Sequence, residues 1–320
     1  MTLAVASSRT RAEKASVSAR AVTIAPHAQD WLASTTSAVA LHVFPHAAYL
    51  GNDSGDVMAL TTEVLGPGPL TMVISGIPGT FDELLDAAET IRVDRRTLTA
   101  DRFRVDLRRA DRWQPRPAWE TLRGNLSRLS GLYPLLARST LEAAPPGSLA
   151  VLLRAKHPLP VSTTLHDRFL VVATAASVAM MEALRGLTRE AKADSLPALV
   201  SAASRLAGLG PGFTPAGDDF LLGVIYALWS TLPAPQAGAI SASLAEAAAP
   251  RTTRVSAAWL RAGALGQAGD SWHDLVAGLV ADDRHAIESA ISRLARVGHT
   301  SGSDALAGYL LGLRGGLDPD

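Results

Sequence analysis

The stretch Gly208-Leu209-Gly210-Pro211-Gly212-Phe213-Thr214-Pro215-Ala216-Gly217-Asp218-Asp219 runs directly into the apolar Phe220-Leu221-Leu222-Gly223-Val224-Ile225. So dense a set of glycines and prolines belongs to neither a helix interior nor a central strand. Two aspartates ahead of an apolar run read as an N-cap and a first helical turn. The segment is therefore a glycine-rich loop feeding a helix N-terminus. Such a loop aims several backbone N–H groups at one point, which suits an oxyanion or phosphate. Close helix packing would also use these glycines, so a single copy does not separate a site from a joint.

A second copy stands near the C-terminus, in Gly298-His299-Thr300-Ser301-Gly302-Ser303-Asp304-Ala305-Leu306-Ala307-Gly308. Gly217, Asp219, Leu221 and Gly223 repeat as Gly302, Asp304, Leu306 and Gly308 at identical spacing. Upstream, Gly212-Phe213-Thr214 answers Gly298-His299-Thr300. The repeat implies a pseudo-symmetric pair of helix N-termini facing a shared pocket, with the small glycines letting the two helices approach.

The chemistry on offer is mixed. Backbone N–H groups at Gly210, Gly212, Gly217 and Gly302, with the hydroxyls of Thr214, Thr300, Ser301 and Ser303, favour an anion. The carboxylates of Asp218, Asp219 and Asp304 are suited to capping, to holding a magnesium ion, or to gripping an amide or amino group. Asp218 and Asp219 cannot both occupy one cap position, so one is free for another task. Between the copies, Pro250-Arg251-Thr252-Thr253-Arg254-Val255-Ser256 sets two guanidinium forks among hydroxyls, either an exposed helix cap or a grip for carboxylate and phosphate. Arg251, Thr252 and Arg254 join the binding candidates. His299, inside the second loop, is suited to donate to an anion or to act as a general acid or base. The catalytic candidates are Asp218, Asp219, His299 and Asp304. His42 and His46 lie four apart on a strand-like segment with no third ligand beside them. No lysine follows the first loop's glycines, which excludes an ordinary P-loop, and no nucleophile-elbow serine appears. No cofactor is evident, and the metal is left open.

The whole chain bounds these readings. Its 320 residues allow about two domains, and 48% hydrophobic against 19% charged residues provide for a core. Lys plus Arg equals Asp plus Glu at 30 each, so net charge points to no polyanionic partner. Cysteine is absent, which excludes a thiol nucleophile, disulfides and thiolate metal sites. The first 20 residues lack the apolar core of a signal peptide, so the expectation is a flexible tail and a cytoplasmic protein. Phe169 to Met181 is too short to span a bilayer, and prolines break Phe220 to Ala245. Both read as buried helices, with no membrane role.

From Ala38 to Leu107 the texture is β-like. Ala38–Phe44, Val57–Leu60 and Leu70–Ile74 are separated by Asn/Asp/Gly and Gly/Pro turns, and Phe103-Arg104-Val105-Asp106 alternates apolar and charged. A short helix is expected at Phe81 to Glu89. Residues 91–128 carry 11 arginines against five acids, which without a recognition motif read as a solvated sheet face or a subunit contact rather than a nucleic-acid patch. After Pro117 the pattern turns helical, with Trp119 to Leu136, Val161 to Leu184 and Ala191 to Ala207 as expected helices. The fold class is α+β. A flexible tail (1–24) precedes a β-rich domain (25–116), a small antiparallel sheet or barrel, and a larger helical domain (117–320) carries the site. The boundary falls near Pro115 to Pro117, or later at Pro145-Pro146.

The motifs Gly210–Leu221, Arg251-Thr252-Thr253 with Ser256, and Gly298–Asp304 resemble those of the AllH-type family, over about Gly208 to Gly312. The arginine segment also resembles, loosely, the Ser-Thr-Arg-Thr loop with which aspartate and ornithine carbamoyltransferases hold carbamoyl phosphate. The AllH resemblance implies a subunit of an oxamate carbamoyltransferase of allantoin degradation, interconverting oxalurate plus phosphate with oxamate plus carbamoyl phosphate. It implies other protein subunits as partners and a small anionic substrate. The family pattern has Leu and Ser where this chain has Phe213 and Ala216, so one hydroxyl is missing from the first loop. A non-catalytic binding or assembly subunit, and a carboxylase acting on a small amide, are the alternatives. Nothing resembles a biotin or ATP site, which weighs against the latter.

Overall fold

The computed structural model describes residues 17–154, 165–188 and 194–317. The first 16 residues of the expected tail, the opening of the helix expected from Val161, and the start of the one expected from Ala191 lie outside the described residues.

The N-terminal part is a closed barrel. Strands β1 (Val17–Ile24), β2 (Ser37–Phe44), β3 (Ala47–Asn52), β4 (Val57–Thr62), β5 (Thr71–Ser75), β6 (Thr90–Val93), β7 (Thr97–Thr99) and β8 (Phe103–Asp106) run in the order β5-β4-β3-β2-β6-β7-β8-β1. The β1–β5 pairing, Arg20 opposite Ser75 and Ile24 opposite Met72, shuts the ring. A two-residue strand β9 (Asp111–Arg112) lies beside β1. Closure removes sheet edges and buries one face of each strand. Leu50, Met58, Leu60, Met72, Ile74, Leu98, Phe103 and Val105 fill the interior. Phe103 and Val105 point inward and Arg104 outward, as the alternation predicts.

Two expectations change here. Residues 17–24, expected as tail, are strand β1, because the barrel needs a strand between β5 and β8. The barrel is also not purely antiparallel, since β1–β8, β4–β5 and β1–β9 are parallel pairs. Gly66-Pro67-Gly68-Pro69 carries the chain back to the start of β4 instead of reversing it, held by the Thr71 hydroxyl, which accepts from the Gly68 N–H (2.7 Å). Helix α1 (Pro26–Ser34) lies against β4. Helix α2 is only Phe81–Leu84, shorter than expected: Thr80 and Glu83 form a capping box, but Leu85 already has extended dihedrals.

The helical part comprises α3 (Trp119–Arg123), α4 (Leu126–Ala143), α5 (Leu165–Thr188), α6 (Ser195–Leu206), α7 (Ala216–Thr231), α8 (Ala234–Ala248), α9 (Arg254–Ala264), α10 (Asp270–Ala281), α11 (Arg284–Ala295) and α12 (Ser301–Leu317). Two 3-10 turns, Leu149–Leu153 and Ala249–Arg251, join them. The helix expected from Trp119 is interrupted at Gly124-Asn125. Helix α5 is longer than its apolar centre suggests, and it is the one helix among the described residues long and apolar enough to cross a membrane by length and composition. It packs on α6 and α12, and half of that stretch is buried.

Helices α7 and α12 form the centre and pack together more extensively than any other pair of elements. Helix α7 is apolar all round because α12, α9, α8 and α3 surround it. The barrel docks on this layer. Asp270 N–H donates to the Pro67 carbonyl (3.0 Å) and Ala268 N–H to the Pro115 carbonyl (2.8 Å). Two of the clustered arginines also turn inward to the helices. Arg116 lies over the Trp229 ring, 4.5 Å from its centre, and Arg123 donates to the Leu232 carbonyl (2.9 Å).

Candidate functional site

The first loop is shaped by backbone that only glycine adopts readily. Gly208, Gly210 and Gly212 have φ of +70°, +106° and +113°. At Gly208 a Cβ would also overlap the carbonyl oxygen of Arg251, so this turn and the 3-10 turn before α9 touch backbone to backbone. The N-cap of α7 is Pro215, with Asp218 and Asp219 in the first turn, and neither aspartate caps its own helix. This corrects the capping expectation.

Asp218 does a different job. One carboxyl oxygen accepts from the Gly208 N–H (2.9 Å) and the other from the Thr252 hydroxyl. It therefore clasps the loop before α7 to the segment before α9. Burial raises its pKa and these donors pull it back. Thr253, the next residue, caps α9 by accepting from the Ser256 N–H (3.1 Å), and its hydroxyl donates to the Phe213 carbonyl (3.4 Å).

The second loop reproduces the arrangement. Gly302 N–H donates to the Val297 carbonyl (3.1 Å), as Gly217 N–H donates to that of Leu209 (2.9 Å). A Cβ on Gly217 would overlap the carbonyl oxygen of Leu206 in α6, and one on Gly302 that of Leu294 in α11. The two first turns meet, and the hydroxyls of Thr214 and Ser301 share a hydrogen bond of 2.9 Å. The repeat in the sequence is thus a structural pair.

Asp219 and Asp304 occupy equivalent first-turn positions. Asp304 is 0% exposed, and its Oδ1 accepts from the Leu149 N–H (2.6 Å) at the start of a 3-10 turn. Burial pushes its carboxyl up to about 7, against the pull of the Leu149 and Thr300 donors. Asp219 is half-buried as a residue, but its carboxyl is raised well above the ordinary value. Desolvation is the main cause, reinforced by Asp304 and Asp218 and opposed by the hydroxyls of Ser301 and Thr214. The Oδ2 atoms of both residues, and the Ser303 hydroxyl, are sealed from solvent without a hydrogen-bond partner. Among the described residues no Arg, Lys or His forms an ion pair with Asp218, Asp219 or Asp304. No group of three or more His, Asp or Glu among them is arranged to hold a metal ion.

Two tyrosines border Asp219. Tyr226 on α7 and Tyr49 on β3 both feel its charge, and burial, the larger effect, holds both phenols above their ordinary pKa, Tyr49 at about 12 despite its hydrogen bond with Trp259. Tyr49 reaches the site because Phe213, at the tip of the first loop, enters an aromatic cluster of the β2–β3 hairpin. Its ring stacks on His42 (4.5 Å between centres) and lies 4.8 Å from Tyr49 and 5.5 Å from Phe44.

The sequence candidates therefore divide. Thr214, Gly217, Asp219, Thr300, Ser301, Gly302, Ser303 and Asp304 come together at the α7–α12 junction. Asp218 and Thr252 form the clasp beside it, and Gly210 and Gly212 shape the loop. His299 is exposed on the second loop. Arg251 and Arg254 are exposed and form no ion pair among the described residues, and Arg254 reaches towards Gly55 in the β3–β4 turn. Sequence reasoning missed Tyr49, Trp259 and the role of Phe213. Its only signal was that Phe213 stands where the family pattern has Leu.

Residues 206–313 match the model of a family described as oxamate carbamoyltransferase subunit AllH. The match is about a third of the chain. It begins at Leu206, against whose carbonyl Gly217 packs, and ends within α12, so it contains both loop–helix units and the arginine segment. No solved structure gives a significant match.

Proposed function

We propose, with the AllH match of residues 206–313 as premise, that this chain is a subunit of a cytoplasmic carbamoyl-transferring enzyme that works with other protein subunits. The reaction is that of an oxamate carbamoyltransferase. A phosphate oxygen attacks the carbamoyl carbon of oxalurate, the carbon–nitrogen bond breaks, and the departing amide nitrogen of oxamate takes up a proton. Carbamoyl phosphate is the other product.

The observation that carries this reading is the coincidence of the matched segment with the paired junction. Asp219 lies at that junction with a carboxyl raised well above its ordinary value by burial, which suits it to hand a proton to a leaving amide nitrogen. Asp218 is engaged through both oxygens in its clasp, so Asp219 is the carboxyl this reading uses for proton transfer. The anionic end of the ligand lies outward, towards the Gly210–Gly212 backbone, Arg251, Arg254 and His299. Pre-organised donors there would stabilise charge on phosphate.

The test mixes the purified chain and its partner subunits with oxalurate and phosphate and follows carbamoyl phosphate. Asp219→Ala and Arg251→Ala should each reduce the rate, and activity that survives both removes these residues from the mechanism.

A non-catalytic binding or assembly subunit is the second reading, favoured by the exposure of His299 and by the structural use of Asp218. Calorimetry separates the two. Absence of binding to phosphate, carbamoyl phosphate and oxamate, together with stable association with a partner subunit, supports assembly.

A further inference from the structure

We propose that the α7–α12 junction recognises a primary carboxamide, with the Asp219 carboxyl pairing with both the amino group and the carbonyl of the ligand's amide. This rests on the carbamoyl-transfer reading and says which end of the ligand the junction holds. Two helix N-termini alone would suit an anion, but here each first turn already carries a buried carboxyl and, among the described residues, no cationic side chain pairs with either. An anion placed among Asp218, Asp219 and Asp304 would find no cationic partner among the described residues and would repel whichever of the three is ionised, in a setting where repulsion is poorly screened. A neutral ligand that both donates and accepts avoids that cost.

The unmatched atoms point the same way. Asp219 Oδ2, Asp304 Oδ2 and the Ser303 hydroxyl are sealed and unpartnered, and buried polar groups left so are costly. Asp304 and Ser303 are both 0% exposed. A neutral carboxyl offers a donor and an acceptor along one edge, and a primary amide offers the complementary pair. Two hydrogen bonds then close a ring. An ionised carboxyl has only acceptors and forfeits one of them. Burial, Asp304 on α12 and Asp218 on its own helix raise the Asp219 carboxyl, the Ser301 and Thr214 hydroxyls oppose them, and the phenols of Tyr226 on α7 and Tyr49 on β3 also face it.

The experiment measures equilibrium binding of paired probes to the full chain with its partner subunits. The pairs are oxamate with oxalate, malonamate with malonate, and acetamide with acetate. The amide of each pair should bind at least roughly tenfold tighter than its acid. Affinity should fall as pH rises through the Asp219 titration. Asp219→Asn keeps the edge that pairs with an amide, so it should retain amide binding and lose the pH dependence, whereas Asp219→Ala should lose binding. Acids binding as tightly as amides, or no probe binding, overturns the proposal. Amide binding without turnover of oxalurate leaves it standing and removes only the carbamoyl-transfer reading.

Discussion

Gly223 and Gly308 face each other's helices at equivalent points. A Cβ on Gly223 would overlap the carbonyl oxygen of Ala305, the residue after Asp304, and one on Gly308 would overlap that of Phe220, the residue after Asp219. The same contact is made twice, once in each direction, and it sets how close the two carboxyls lie.

Gly308→Ala should therefore destabilise the protein by about 3 kcal/mol or more, since overpacking against backbone has no flexible side chain to yield. Gly131→Ala, with nothing within 4 Å of the new Cβ, is the control and should leave the urea midpoint at or above wild type. Equal midpoints for the two variants would show that the helices separate at little cost.

Asp304 makes stability depend on pH. Its folded pKa, about 7, lies above the ordinary 3.8. The native state thus keeps a proton that the unfolded chain releases, and stability falls as pH rises from about 4 to about 7, by roughly 1.4 kcal/mol per unit. Below the unfolded pKa this contribution is fully present, and above the folded pKa it is gone. Asp304→Asn still accepts from the Leu149 N–H and carries no charge, so it should flatten that slope and be more stable than wild type at pH 8. Urea titrations at pH 5 and pH 8 check this.

Asp218→Ala leaves the Gly208 N–H and the Thr252 hydroxyl without their acceptor, at a cost of about 2–3 kcal/mol. Hydrogen exchange should quicken at Gly208 and remain slow at Gly302, whose N–H donates to Val297 instead. Equal acceleration at both would mean that the clasp supports the whole junction and not the first loop alone.

Phe213→Ala removes the ring that joins the first loop to His42, Tyr49 and Phe44. The loss should be about 2 kcal/mol and should loosen the loop, read as faster amide exchange across 211–215. Phe213→Leu should recover part of the packing but not the stacking on His42.

Much of the fold was legible because its signals are local. Phe103 to Asp106 shows its inward and outward faces by alternation, and the apolar run after Asp219 declares a buried helix. The tail boundary misled because β1 continues the Ala/Ser/Arg texture of the sequence before it, and only its pairing with β5 and β8 marks it as a strand. The parallel pairs were hidden for a related reason. A Gly-Pro turn looks the same whether the chain reverses or returns to the same end.

The sequence by itself determined the paired loops. Glycine and aspartate recur at fixed spacing because each copy needs a small residue against a preceding helix end and another at the helix crossing. Only the tertiary structure decided what the aspartates do. Asp218 and Asp219 are adjacent and chemically identical in the chain, yet one turns to Gly208 and Thr252 and the other to Ser301, Asp304 and Tyr49. Successive residues on a helix point about 100° apart, so what each meets is set by elements distant in sequence. That is why the opening stretch announced a junction, while the character of the junction, buried carboxyls with raised pKa where an anion hole was expected, came from packing.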